Sequence, residues 1–159
     1  MIIEPMTDTH LSEYADVVRR SFATVADEFG YADSPEFSSN IPDELLADKI
    51  APGYYPFGAC VDGKIVGFVS LTHAGEGVYK LQKLTILPEY RHHGYGKALL
   101  DFCKAKAQEL GGNKISIKLM DNDTRLKKWY LSHGFVHTST KHYEGIPFPV
   151  GHMEWLDEQ

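Results

Sequence analysis

Apolar residues recur at two different periods along this chain, and the switches between those periods lay out most of its elements. Leu11, Tyr14, Ala15, Val18 and Phe22 fall on one face of a helix over 9–22, with Thr7 or Thr9 placed to cap it. Met1 to Met6 reads as a short strand, and 42–50 as a second helix with Pro42 near its first turn. Between them, 23–41 is the least periodic part. Strands follow over 57–61 and 64–72, joined by Asp62-Gly63, a pair suited to a two-residue hairpin in which both positions need positive φ. A turn at Gly75-Glu76-Gly77 leads into a strand over 78–87 whose Tyr79, Leu81, Leu84 and Ile86 alternate imperfectly. Leu99, Leu100, Cys103, Ala107 and Leu110 then stand at helical spacing, and that helix ends at Gly111-Gly112. Ile115, Ile117 and Leu119 alternate strictly, Asp121, Asn122 or Asp123 caps a helix through Ser132, and 135–143 and 148–156 are the last strands. The order is β α α β β β α β α β β, which periodicity by itself reads as α/β or α+β.

A length of 159 residues predicts one domain over 1–159, burying roughly two thirds of its unfolded surface. With 43% hydrophobic and 24% charged residues the composition is globular. There is no apolar run near twenty residues and no basic-then-apolar leader, so a soluble, cytoplasmic protein without a membrane partner is expected. The net charge of −6 argues against nucleic acid, whose phosphates require a basic face, and suits a cationic amine drawn in by the negative field. Cys60 and Cys103 occupy apolar positions and read as buried, reduced thiols. His92 and His93 are adjacent, with no Cys, His or carboxylate at ligand spacing nearby, so no metal is expected.

The segment from Leu84 to Leu100 carries the most specific chemistry. An apolar, β-branched run (Leu84, Thr85, Ile86) stops at Pro88, and a basic, glycine-punctuated turn, Arg91-His92-His93-Gly94-Tyr95-Gly96-Lys97, opens an amphipathic helix. That is the layout of a pyrophosphate cradle: a helix N-terminus offers unpaired N–H groups, and glycine lets an anion approach the backbone. Arg91 and Lys97 add full positive charges. A Walker loop would need glycine at Arg91 and Ser or Thr at Ala98, and a dinucleotide fingerprint a small residue at Leu99, so neither fits.

What fits is Arg-x-x-Gly-x-Gly after a strand and a proline, and here the chain resembles the GNAT superfamily of acyl-CoA-dependent N-acetyltransferases. Tyr130 and Gly134-Phe135 resemble the end of the family's later motif, Asn-x-x-Ala-x-x-x-Tyr-x-x-x-Gly-Phe; counting back puts Asp123 at its asparagine, Leu126 at its alanine, and Asn122 one residue early. The resemblance implies a mixed, mostly antiparallel sheet of about seven strands with helices on both faces, split between the strands over 78–87 and 114–119. It implies acetyl-CoA as co-substrate, with the backbone of Leu84, Thr85 and Ile86 along the pantetheine arm and thioester, the N–H groups of His92 to Lys97 on the pyrophosphate, and Asn122 or Asp123 nearby.

The implied reaction moves an acetyl group to a primary amine of a small molecule or peptide within a direct ternary complex. Tyr130 matches the family's general-acid tyrosine, a phenol able to protonate the departing thiolate; the other reading is an aromatic that packs beside the coenzyme. Where many members place a glutamate base, this chain has Lys80 and Gln82; Gln82 could orient a water, and Glu76, His73 and His142 are the substitutes on offer. The acceptor is expected between 9–50 and 143–149, where Tyr31, Phe37, Tyr54, Tyr55, Tyr143 and Phe148 supply aromatics, some of them for the core or for a homodimer surface. Two alternatives stand beside this reading: a non-catalytic acetyl-CoA-binding module, and a transferase using a longer acyl-CoA.

Overall fold

The computed structural model of the protein describes residues 1–35 and 37–157. Its elements run β1 (Ile2–Pro5), α1 (Leu11–Phe29), α2 (Asp43–Ala47), β2 (Tyr54–Val61), β3 (Lys64–His73), β4 (Val78–Ile86), α3 (Tyr95–Glu109), β5 (Lys114–Met120), α4 (Thr124–Ser132), β6 (Val136–Lys141) and β7 (Val150–Leu156). This is the order the periodicity predicts. Seven strands form one sheet in the order β1-β2-β3-β4-β5-β7-β6. Neighbouring strands are antiparallel except β4 and β5, which run parallel.

Alternation along β3 sorts the two faces of the sheet. Val69 and Leu71 enter the larger core with Leu99, Leu100, Cys103 and Ala107 of α3 and with Tyr130 of α4. Val66 and Phe68 point the other way, toward Tyr14, Ala15, Val17 and Val18 of α1 and Leu46 of α2. Helices therefore cover both faces, because each supplies one apolar stripe to a strand set that is apolar on both sides. At Asp62-Gly63 both residues hold positive φ, 51° and 79°, so Val61 and Lys64 pair across the tight hairpin the sequence predicts.

Three boundaries differ from expectation by three residues or more. Helix α1 runs seven residues past Phe22, because Val25, Ala26 and Phe29 continue its spacing, and it closes at Gly30, whose N–H bonds to Ala26 O. Helix α2 is shorter than 42–50: past Ala47 the chain tightens into three-residue turns, with Lys49 N donating to Leu46 O and Ile50 N to Ala47 O. Strand β2 starts three residues early, at Tyr54, despite Pro56. The Pro56 carbonyl accepts from Met6 N, so its missing N–H also faces Met6, just past the end of β1, and the β2–β3 ladder loses no bond. Among the described residues no helix is long and apolar enough to cross a membrane.

Helix α1 lies close enough to β2 that only glycine fits beneath it. A Cβ built on Gly58 would stand 2.2 Å from Cε1 of the buried Tyr14 ring. Gly58→Ala should therefore lower stability by about 1–3 kcal/mol, the range of an overpacked core, and thermal unfolding should register a drop of several degrees. An unchanged melting temperature would mean that α1 does not seat on β2 in this way.

Candidate active site

Strand β4 contains one residue more than its partner. Phe68 of β3 pairs with Thr85 and Ser70 with Gln82, so Val69 faces two β4 residues, Lys83 and Leu84. Lys83 adopts φ 57°, which makes this a β-bulge. On its other edge β4 pairs with β5 only over Val78 to Lys80, against Lys114 to Ser116. From Leu81 to Ile86 that edge has no strand partner among the described residues. The sheet is thus split where the resemblance places the split, and Leu84, Thr85 and Ile86 line the opening, with Thr85 and Ile86 fastened to β3 on the far side.

The glycine-punctuated turn follows directly. A single 3-10 turn over Pro88–Tyr90 leads to His92 at φ 66° and Gly94 at φ 81°, and α3 begins at Tyr95. The backbone N–H groups of His92 to Lys97 have no acceptor among the described residues. Six consecutive donors stand at the positive end of a fifteen-residue helix, an arrangement whose electrostatics favour an anion. The imidazoles of His92 and His93 are exposed, and the His93 ring lies 5.9 Å from that of Tyr95.

The Arg91 guanidinium is fastened by neutral partners and so keeps its charge beside the turn: Nε donates to Ile86 O at 3.1 Å, Nη1 to Thr24 Oγ1 at 3.1 Å and Nη2 to Ser21 O at 2.8 Å. Arg91 ties the turn to α1, where the carbonyl of Ser21 and the hydroxyl of Thr24 face it. Lys97 bonds Asp101 one helical turn on, at 2.7 Å, with both side chains exposed. What remains for an anion is mostly backbone.

Tyr130 is 6% exposed, in edge contact with Phe135 and Trp129, and its hydroxyl has no hydrogen-bond partner among the described residues. Burial, with Cys103 alongside, pushes its pKa well above the ordinary phenol value, so the proton is retained at any physiological pH. Trp129 links it to the turn: a Cβ on Gly96 would lie 3.7 Å from the Trp129 ring, so α4 abuts the first turn of α3. Of the two candidates before α4, Asp123 is its N-cap, accepting from Leu126 N at 3.2 Å, which engages its carboxylate. The Asn122 side chain is exposed and unpartnered among the described residues.

The expected acceptor aromatics divide. Tyr31 stacks on Phe37 at 5.6 Å and meets Phe148 at 5.3 Å, joining the segment after α1 to the connection before β7. Tyr55 instead packs on Tyr79 in the core, and Tyr143 on His152. Tyr54 lies beneath Lys49 and lines a hollow of about 420 Å³ with Pro5, Ile50 and Lys106. Among the substitute bases, Glu76 and His73 sit exposed at the β3–β4 hairpin, about 25 Å along β4 from the glycine-punctuated turn. Exposed His142 follows β6. The cysteines also differ: Cys103 is fully buried and its pKa is raised to about 12, whereas Cys60 is only half-buried and bonds Glu4.

Sequence reasoning missed one polar group. The bulge sends Gln82 and Lys83 to the same side of the sheet, toward α1 and α2. Gln82 Oε1 accepts from Lys49 Nζ at 3.0 Å, and Lys83 Nζ donates to Ser38 Oγ at 3.1 Å. The available signal was the slip of the apolar phase from 79 and 81 to 84 and 86.

The profile of the acetyltransferase (GNAT) family matches residues 20–135, and the chain belongs to that family. It is an acyltransferase. It is similar to the uncharacterized N-acetyltransferase in the pepI 3′ region of Lactobacillus delbrueckii subsp. lactis, with 24% identity over 86% of this chain and 85% of that one. Its fold matches the ribosomal-protein-S18-alanine N-acetyltransferase from Escherichia coli, at TM-score 0.79 and 15% identity over 99% of this chain and 94% of that one. It likewise matches PaiA N-acetyltransferase from Thermoplasma acidophilum, solved in complex with coenzyme A, at TM-score 0.78 and 22% identity over 98% and 99% of the two chains. The residues present fit such a coenzyme, since six free N–H groups suit a pyrophosphate and the open edge of β4 suits an amide-bearing arm. No group of three or more His, Cys, Asp or Glu among the described residues is arranged to hold a metal ion.

Replacing Arg91 by alanine should lower stability by about 1–3 kcal/mol, since Ser21 and Ile86 carbonyls lose a charged donor. Lys97→Ala should change it by less than about 0.5 kcal/mol, as expected for an exposed helical pair. Equal losses in denaturant unfolding would contradict the structural role of Arg91.

Proposed function

We propose that the chain transfers the acetyl group of acetyl-CoA to a primary amine of a small molecule or peptide, in one step within a ternary complex, and that it does so as one domain. The observation that carries this reading is the run of unpaired N–H groups from His92 to Lys97 at the end of an open strand edge, with a buried, partner-free phenol one helix away. Bound acetyl-CoA supplies a thioester, an acyl carbon already activated toward an amine. The N–H groups of His92, His93, Gly94, Tyr95, Gly96 and Lys97 hold the pyrophosphate, and the backbone of Leu84, Thr85 and Ile86 aligns the arm and the thioester carbonyl. Asn122, rather than the engaged Asp123, is left to reach the coenzyme.

Tyr130 gives its proton to the sulfur as the C–S bond breaks, the new C–N bond forms, and the amine's proton leaves to water; solvent then reprotonates the phenol. Direct transfer agrees with the state of the thiols, since Cys103 is inaccessible and burial and Glu4 raise the pKa of Cys60. A second reading, a coenzyme-binding module without turnover, draws on Gln82, whose carbonyl oxygen is engaged by Lys49 where a base would stand.

Acetyl-CoA at a hundred times its dissociation constant should raise apparent stability by about 2.7 kcal/mol. Gly94→Val should abolish that shift, because valine does not hold φ 81° and the N–H groups would turn away. Each protein is compared with its own ligand-free melting curve, so a strain cost in the variant does not obscure the result. An undiminished shift would remove the phosphate site from this turn.

Tyr130→Phe deletes one hydroxyl and keeps the ring. Turnover on any accepted amine should fall by roughly 10²-fold or more while the KM for acetyl-CoA holds, the pattern of a group that acts in the transition state. Turnover within a factor of about three of the parent would leave the phenol with a packing role only.

A further inference from the structure

Lys49 and Lys83 meet on the α1 and α2 side of β4 without an ion-paired carboxylate, the charge of Asp48 reaching Lys49 only from beyond salt-bridge distance. Their ammonium groups bond an amide oxygen and a hydroxyl, and neither forms an ion pair among the described residues. The chain has 22 acidic residues against 16 Lys and Arg, so two half-buried lysines left unpaired run against the composition. Burial lowers both pKa values, and the charge of Lys49 lowers that of Lys83 further.

The same region holds hydroxyls with no partner. Ser39 Oγ, next to the Ser38 that binds Lys83, is buried and unsatisfied, and so are Ser70 Oγ and Thr72 Oγ1. Ser70 is fully buried and pairs with Gln82, and Thr72 pairs with Lys80, so both lie on the face of the sheet that carries the two lysines. Buried hydroxyls ordinarily find partners, and buried cations ordinarily find anions. Two cations without an ion pair and hydroxyls without a partner, on the face of the sheet toward which the bulge turns Gln82 and Lys83, match an oxyanion.

Resting on the transferase reading above, we propose that the acceptor molecule carries an oxyanion, a carboxylate or a phosphate, as well as its amine. Lys49 and Lys83 hold that group with the hydroxyls of Ser38 and Ser39, and so direct the amine toward the opening at Leu84. The two lysines are specificity residues: they bind the end of the acceptor that does not react.

The test uses three acceptors that share one spacing, β-alanine, β-alaninamide and 2-aminoethylphosphonate as the phosphate stand-in, extended to α-amino acids and their carboxamides, with thiol release from acetyl-CoA as the readout. An anionic member should exceed its carboxamide in kcat/KM by about tenfold or more, the scale of a charge-assisted hydrogen bond. Carboxylate against phosphate identifies which oxyanion is used. In Lys83→Met and Lys49→Met the ratio of anionic to neutral acceptor should fall toward one through KM, and Lys83→Arg should retain it. The ratio is internal to each protein, so a partly unfolded variant cannot imitate the loss.

Carboxamides used as well as their acids, or an unchanged ratio in both Met variants, would overturn the oxyanion site while leaving the transferase reading intact. Thermal stabilisation by acetyl-CoA without thiol release from any acceptor would instead overturn the transferase reading, and this inference with it.

Discussion

The short parallel ladder between β4 and β5 is the constraint on which the rest of the molecule depends. Only Val78 to Lys80 pair with β5, and from Leu81 onward β4 offers an unpaired edge inside a sheet. An unpaired edge is ordinarily a liability, since bare N–H and C=O groups recruit other strands. Here it is short, it lies between two sheet halves, and it ends in a turn whose donors are also free. The bulge at Lys83-Leu84 is the local cause of a second feature, because an added residue bends its strand and re-aims its side chains. One irregularity therefore accounts for the course of β4 and for the side of the sheet that Gln82 and Lys83 face.

An acidic chain proposed to take an anionic coenzyme raises the question of which groups would meet the anion, and the surroundings of Arg91 and Lys97 bear on it. Both cations near the turn are engaged, one by the Ile86 carbonyl of β4 with the Ser21 carbonyl and Thr24 hydroxyl of α1, the other by Asp101. The anion is left to N–H dipoles, which can be aimed closely and carry no counter-ion of their own. Arg91 acts at one remove. It anchors the turn to α1, so the long first helix, which touches β3 and β4, helps set the geometry of a loop far from it in sequence.

The fold and the backbone of the glycine-punctuated turn were legible because they rest on local signals. Asp62-Gly63 specifies its own hairpin, and Gly94 and Gly96 after Pro88 specify a turn that opens a helix whatever surrounds them. Partners set by tertiary contact were not legible. Nothing near Arg91 in sequence indicates that Ser21, seventy residues away, takes its guanidinium, and nothing at Asp123 separates capping from coenzyme contact until the backbone is in place. The lysine pair is intermediate. The slip in apolar phase across 81–84 marks a bulge, but that Lys49 arrives from a turn beyond α2 follows only from the packing of that helix on the sheet.

The absence of a glutamate on β4 then takes on a physical meaning. A carboxylate base would accept the ammonium's proton but would also stabilise the ammonium itself, holding the amine charged until a proton transfer occurs. Positive charge nearby has the opposite effect, since it disfavours a cation and lowers the pKa of an adjacent amine. On the acceptor reading proposed above, Lys49 and Lys83 neutralise the acceptor's own oxyanion, which would otherwise raise that pKa, and their remaining field favours the neutral nucleophile. On the same proposal deprotonation proceeds to water without a dedicated residue, while the proton for the sulfur would come from Tyr130, on the opposite face of the sheet, whose burial keeps it protonated. The two proton transfers are served by two environments, one cationic and polar, one apolar, and the bulged strand lies between them.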